Sequence, residues 1–132
     1  MNEPIWIEKA TILLAHAEAL AEHGGLEGLR DEGLLESALA RPRNTFVYVE
    51  SASLHQLAAS YAFGIIRNHP FVDGNKRASF IAAALFLALN GLRLNADQVD
   101  ATRTFLGLAA GKLTEEELAN WLKEHTVLAK KR

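Results

Sequence analysis

The stretch His69-Pro70-Phe71-Val72-Asp73-Gly74-Asn75-Lys76-Arg77 interrupts two long apolar runs, and its reading settles the architecture. Six of its nine residues are polar or glycine. Upstream, Leu57, Ala58, Tyr61, Ile65 and Ile66 recur at helical spacing. Ser53 followed three residues later by Gln56 supplies a capping-box start for that helix. Downstream, a second apolar helix is predicted from Asn75 to Leu89, stopping at Asn90-Gly91. Helices apolar on nearly every side must be buried, so this pair is predicted to form the middle of a helical bundle.

The flanking segments also read as helices. Pro4 suits a first turn, and Trp6, Ile7, Ala10, Leu13, Leu14, Ala17, Leu20 and Ala21 follow at helical spacing until Gly24-Gly25. After a glycine-rich turn, Leu34, Leu35, Ala38 and Leu39 form a short helix that Pro42 is expected to end. Residues 44–50 differ in kind. Thr45, Phe46, Val47, Tyr48 and Val49 are β-branched or aromatic, and we expect an exposed extended arm or flap there. Asp97 is placed to cap a helix carrying Val99, Phe105, Leu106 and Ala109. Thr114 with Glu117 forms a second capping box before Leu118, Trp121 and Leu122. The expectation is an all-α single domain over residues 1–132, a compact bundle with a short extended flap before the central pair.

Composition narrows the function. The 132 residues are 49% hydrophobic and 23% charged, ordinary for one globular domain. The chain has no cysteine, which excludes disulfides, cysteine-ligated zinc and thiol catalysis and agrees with a cytoplasmic setting. The first apolar stretch carries Glu8, Lys9, His16 and Glu18 and does not read as a secretory leader. The run from Phe80 to Leu89 is too short to span a bilayer, so no membrane partner is expected. A net charge of −2 argues against a direct nucleic-acid partner, and the uncharged run after the loop is no recognition helix. Lys130-Lys131-Arg132 reads as a solvated tail.

The polar loop carries the chemistry. A helix starting near Asn75 offers free backbone N–H groups and the positive end of its dipole. Gly74 lets an anion come close, and Lys76 and Arg77 add two positive charges, so the group makes a phosphate cradle. Asp73 beside it has the hard oxygen ligands that Mg²⁺ prefers. His69 supplies an imidazole, the side chain best suited to general-base work at neutral pH.

This string resembles the signature of the Fic/Doc family, H-x-F-x-[D/E]-[G/A]-N-[G/K]-R, at His69, Phe71, Asp73, Gly74, Asn75, Lys76 and Arg77. Gly24-Gly25-Leu26, Gly28, Asp31 and Gly33 resemble the early turn of the death-on-curing (Doc) branch, and Leu85-Phe86-Leu87 with Asn90-Gly91 the end of its motif helix. The resemblance spans residues 5–122. Lys76 stands where adenylyl-transferring Fic proteins have a second glycine, and Phe80 where they have a second arginine. On both counts the chain resembles Doc.

The resemblance implies a toxin of a type II toxin–antitoxin system. Such a protein is a kinase that moves the terminal phosphate of ATP to a hydroxyl of a translation factor, the family suggesting elongation factor Tu. It also implies Mg²⁺ as cofactor and a short antitoxin that covers the site region. Position by position, His69 would be the base and Asp73 the Mg²⁺ ligand. Gly74, Asn75, Lys76 and Arg77 would hold phosphates, with Arg67 a further phosphate or target contact, and Phe71 would anchor the loop. Thr45, Phe46, Val47, Tyr48 and Val49 would form the flap on which the target docks by strand addition.

Two competing functions stay open at this point: a Fic-type adenylyltransferase, and a non-catalytic nucleotide-binding module. Plainer roles compete for single residues. Asp73 alone would serve as an N-cap. His16, His23, His55 and His125 have no ligand spacing and read as surface or satisfied structural histidines. Trp6 and Trp121 fit apolar faces, and Phe46 and Tyr48 read equally as a partner-covered patch or as ordinary packing.

Overall fold

A computed structural model describes residues 2–129. The elements in chain order are α1 (Lys9–His23), α2 (Glu32–Tyr48), α3 (Leu54–Asn68), α4 (Asn75–Leu89), β1 (Leu92–Leu94), α5 (Gln98–Ala109), α6 (Glu115–Glu124) and β2 (Thr126–Leu128). The expected tail Lys130-Lys131-Arg132 lies outside the described residues. No helix among those described is long and apolar enough to cross a membrane.

The central pair falls where the apolar runs place it. Ser53 and Gln56 cap α3 reciprocally, and Thr114 and Glu117 do the same for α6, while the Asp97 carboxylate accepts from the first amides of α5. Helix α3 is the hub and packs against α2, α4 and α6. Its small residues allow that. A Cβ built on Gly64 would lie 3.4 Å from the Cα of Ala38, so glycine lets α2 lie directly on α3. Ala78, Ser79, Ala82 and Ala83 are the buried small residues of α4. Tyr61, Phe86, Leu57, Ile65 and Leu87 fill the space between. Such close packing leaves dispersion contacts on every side of each core ring.

The N-terminal segment departs from the expectation. Helix α1 starts at Lys9, and residues 5–7 run along the core without helical structure. Side chains on other elements satisfy their backbone. Asn90 both accepts from the Ile5 N–H (2.8 Å) and donates to its carbonyl (3.0 Å), and the buried Tyr61 hydroxyl accepts from the Ile7 N–H (3.1 Å). Trp6 is half-buried, its ring 5.8 Å from that of Phe86 and 5.7 Å from that of Phe46.

The expected flap is also corrected. Pro42 lies inside α2 and does not end it. Thr45, Phe46, Val47 and Tyr48 form the last turn of that helix, with Val49 as its extended C-cap. An interior proline costs roughly 3 kcal/mol in an isolated helix, so tertiary contacts must offset it. They are present on both sides of Pro42. Arg41 meets Glu115 of α6 through two 2.7 Å bonds and donates to Ser60 of α3. Pro42 is itself buried, Thr45 Oγ1 donates to the Arg41 carbonyl, and Phe46 packs on Trp6. An extended segment at this place would have had no strand to pair with. The only sheet among the described residues joins β1 to β2, Leu92 opposite Leu128 and Leu94 opposite Thr126. Two three-residue strands separated by two helices leave no local pattern in sequence, so their pairing is not legible there.

Candidate active site

The motif loop joins the C-terminus of α3 to the N-terminus of α4, and its shape is set by what lies beneath it. His69 is the C-cap of α3 and adopts φ 48°, ψ 57°, the only left-handed non-glycine residue among those described. Such a conformation costs a side-chain-bearing residue about 1–2 kcal/mol, and here the loop between α1 and α2 supports it. Arg30 donates from Nε to the His69 carbonyl (2.7 Å) and from Nη2 to the Asn68 carbonyl (2.8 Å). The N–H groups of Arg30 and Asp31 both reach the Pro70 carbonyl, and the Val72 N–H donates to the Gly28 carbonyl. Cationic donors on the last carbonyls of α3 also complement its dipole.

Inside the loop, Phe71 turns into the core, 1% exposed. Asn75 Oδ1 accepts from the Phe71 N–H and its Nδ2 donates to the Phe71 carbonyl, both at 3.0 Å, and these two bonds fix the amide orientation. The second hydrogen of Nδ2 is then directed at Nδ1 of His69, 3.2 Å away. The Asn75 side chain is therefore spent within the loop, and only its backbone N–H is left for a phosphate. In turn Nδ1 of His69 is an acceptor, and the ring of this exposed residue presents Nε2 away from Asn75.

Asp73 is exposed, and each of its carboxylate oxygens takes one backbone hydrogen. Oδ2 accepts from Leu26 N–H (3.2 Å) and Oδ1 from Gly74 N–H (2.8 Å). These bonds, Leu26 first, hold its carboxyl below the usual carboxylate range. The N-cap of α4 is Gly74, at φ 76°, without a side-chain cap, so Asp73 does not cap that helix. The backbone N–H groups of Asn75, Lys76 and Arg77 meet no protein acceptor among the described residues. Gly25 explains how the α1–α2 loop comes so close, since a Cβ there would stand 3.0 Å from Asp73 Oδ2.

His69, Asp73, Lys76 and Arg77 line one end of a cleft of about 1130 Å³. From there the cleft follows α4 to Ala88, about 18 Å away at 1.5 Å per residue. Its middle is apolar, where Phe80 meets Phe105 of α5 edge-on with ring centres 5.2 Å apart. Arg93 of β1 lines the far part, a cation that the sequence did not single out because only the non-local strand pairing puts it there. Arg67 does not line the cleft; its guanidinium lies 5.5 Å over the Phe63 ring. The residues expected as a flap do not line it either, although Val47 and Tyr48 are 72% and 84% exposed.

The donor set suits Mg²⁺ in one manner. Among the described residues no three carboxylates or imidazoles gather into a cage. One ionised, exposed carboxylate beside a phosphate cradle is how Mg²⁺ is commonly held, with waters and substrate phosphates completing its shell.

A helical bundle with this loop at its centre defines a class. The chain belongs to the Fic/DOC family, whose model matches residues 6–87, more than half of its length. The chain is 29% identical over 117 residues to "Protein kinase doc" of Escherichia phage P1, a match covering 89% of this chain and 92% of that protein. It is 40% identical over 93 residues to "Toxin Doc" of Mycolicibacterium smegmatis, covering 70% of this chain and 69% of the relative.

Proposed function

We propose that this protein is a Doc-like toxin of a type II toxin–antitoxin pair, acting as a protein kinase on a translation factor, elongation factor Tu being the first candidate. One observation carries the reading. His69, the Asp73 carboxylate and the uncapped start of α4 with Lys76 and Arg77 share one end of one cleft. The names of the two relatives, a protein kinase and a toxin, support it.

In this reading the triphosphate of ATP lies at the α4 N-terminus, held by backbone N–H groups and by Lys76 and Arg77. A hydroxyl of serine or threonine attacks the terminal phosphorus, ADP leaves, and the hydroxyl proton passes to Nε2 of His69. For Nε2 to accept it, the ring must carry its own proton on Nδ1, so the Asn75 contact opens as substrate binds. Asp73 would hold Mg²⁺, which would neutralise phosphate charge when bound. A short antitoxin covering this end of the cleft would restrain the activity.

The reading is tested by expressing the chain from a tightly controlled promoter while following amino-acid incorporation. Incorporation is expected to stop, and elongation factor Tu from the arrested cells to be heavier by one phosphate. Continued synthesis at full rate with soluble protein present would overturn the toxin assignment.

Asp73→Asn should weaken Mg²⁺-dependent nucleotide binding more than metal-free binding, because an amide is a poorer ligand for a hard cation. Calorimetric titration with and without Mg²⁺ measures both, and equal losses would reduce Asp73 to a brace for the Leu26 turn. The carboxyl's folded value lies below its ordinary 3.8, so its charge is complete above that value and is lost only as pH falls through the lowered one. Mg²⁺-dependent binding should therefore show no loss attributable to Asp73 between about pH 7 and about pH 5.

A further inference from the structure

We propose that His16, on α1, is a positioning residue that sets the direction of the Asp73 carboxylate and of the first turn of α4. The inference deepens the function proposed above and rests on it.

His16 is a buried polar side chain, 4% exposed, in a helix whose other buried side chains, Ile12 and Leu20, are apolar. Burying an imidazole is unfavourable unless its polar atoms are satisfied. Its Nε2 lies 2.8 Å from the carbonyl oxygen of Asp73. A carbonyl only accepts, so Nε2 donates, and this settles which ring nitrogen carries hydrogen. The ring face lies on Phe71, centroids 3.7 Å apart and planes 15° from parallel. The same ring closes the space beside Gly74, where a Cβ would stand 3.2 Å from Nε2. One side chain from a distant helix thus touches three residues of the motif loop.

The peptide between Asp73 and Gly74 is what these contacts hold. Its carbonyl is bound by His16, and its N–H donates to the carboxylate of Asp73 itself. Rotating that peptide would break both bonds. It would also turn the Asp73 carboxylate off the Leu26 N–H and swing the open amides of residues 75–77 away from the cleft. A peptide next to a left-handed glycine is the easiest one in the loop to rotate, because glycine has no side chain to oppose it. His16 is the group that opposes it from outside the loop.

Two variants separate this role from mere core filling. His16→Phe keeps a ring on Phe71 but has no donor, whereas His16→Gln keeps a donor within reach of the carbonyl. With full-length protein, amide hydrogen exchange is followed residue by residue, and Mg²⁺–ATP binding is measured beside it. His16→Phe is expected to speed exchange at Gly74 and Leu26, whose N–H groups are bonded to the Asp73 carboxylate, and to weaken Mg²⁺–ATP binding, each about tenfold, the scale of one lost hydrogen bond. Exchange at Ala82, Ala83 and Phe86, deeper in α4, should stay as in the parent, and His16→Gln should restore most of both losses. Unchanged loop exchange in His16→Phe, or a uniform rise through α1 and α4, overturns the proposal.

Should the variant fail to fold, the parent protein still decides. Its His16 Nε2 must carry a slowly exchanging proton with a scalar coupling to the Asp73 carbonyl carbon, and lack of that coupling overturns the proposal. If the parent binds no nucleotide, the functional reading falls while the exchange measurement still judges the positioning role.

Discussion

His69→Ala is expected to abolish transfer, by about 10²–10⁴-fold, while the bundle stays folded. The first half rests on chemistry. Among the residues of the loop that reach the cleft, only His69 carries a group suited to accept a hydroxyl proton near neutral pH. Lys76 and Arg77 carry cations and Asp73 a carboxylate that two amides already engage. The second half rests on packing. His69 is exposed, so its truncation opens no cavity in the core. Its backbone bonds, the N–H to Ile65 and the carbonyl to Arg30, do not involve the ring. Alanine is less well tolerated than histidine in the left-handed region, but both bear its strain, so the folding balance shifts by no more than about 1 kcal/mol. The Asn75 amide loses its contact with the ring but keeps both bonds to Phe71. Single-turnover transfer from ATP, measured beside a thermal melt, checks both halves. A folded variant that still transfers at the parental rate would remove His69 from the role of base.

The group transferred should be phosphate, about 80 Da, and not AMP, about 329 Da, because positioning of the triphosphate decides which phosphorus meets the nucleophile. Positions 77 and 80 lie three apart and share a face of α4, and both line the cleft. The cation at the first of them is Arg77. At the second stands Phe80, whose ring is engaged with Phe105. Beside Arg77 the chain adds Lys76, on a flexible stem at the helix start. Positive charge is thereby gathered at the α4 N-terminus next to His69 and absent one turn further along. The most highly charged end of ATP, its terminal phosphate, should follow that charge. ATP labelled at either the α or the γ phosphorus, with intact mass spectrometry of the acceptor, separates the outcomes. Label arriving from the α position would replace the kinase reading with adenylyl transfer. Phe80→Arg adds a second handle, since restoring the missing cation should raise the share of α label.

What could be read directly from sequence was local and strongly patterned. The capping boxes at Ser53 and Thr114, and the Asp97 cap, were visible because each needs only residues within one turn of each other. The extent of α4 was visible because its apolar run is uninterrupted from Phe80 to Leu89. Seven of the nine motif residues, all but Pro70 and Phe71, line one end of the cleft, and no other segment is needed to name them.

The direction of the Asn75 side chain is not legible in sequence, because residue type does not disclose it; the side chain turns inward since the Phe71 backbone would otherwise be buried without partners.

By itself, then, the sequence determined the helical content, the central pair and the chemical inventory of the loop, all of which depend on neighbours along the chain. Tertiary structure alone decided three further things. It kept α2 helical through Pro42 to Tyr48, because Arg41 and Phe46 find partners on α6 and on the N-terminal segment. It brought Arg93 to the cleft by pairing strands more than thirty residues apart. It set His16, Leu26 and Arg30 under the motif loop, where they hold its peptide planes. Each of these rests on a contact between distant segments, whose energy exceeds the local preference it overrides or acts where local preference is silent.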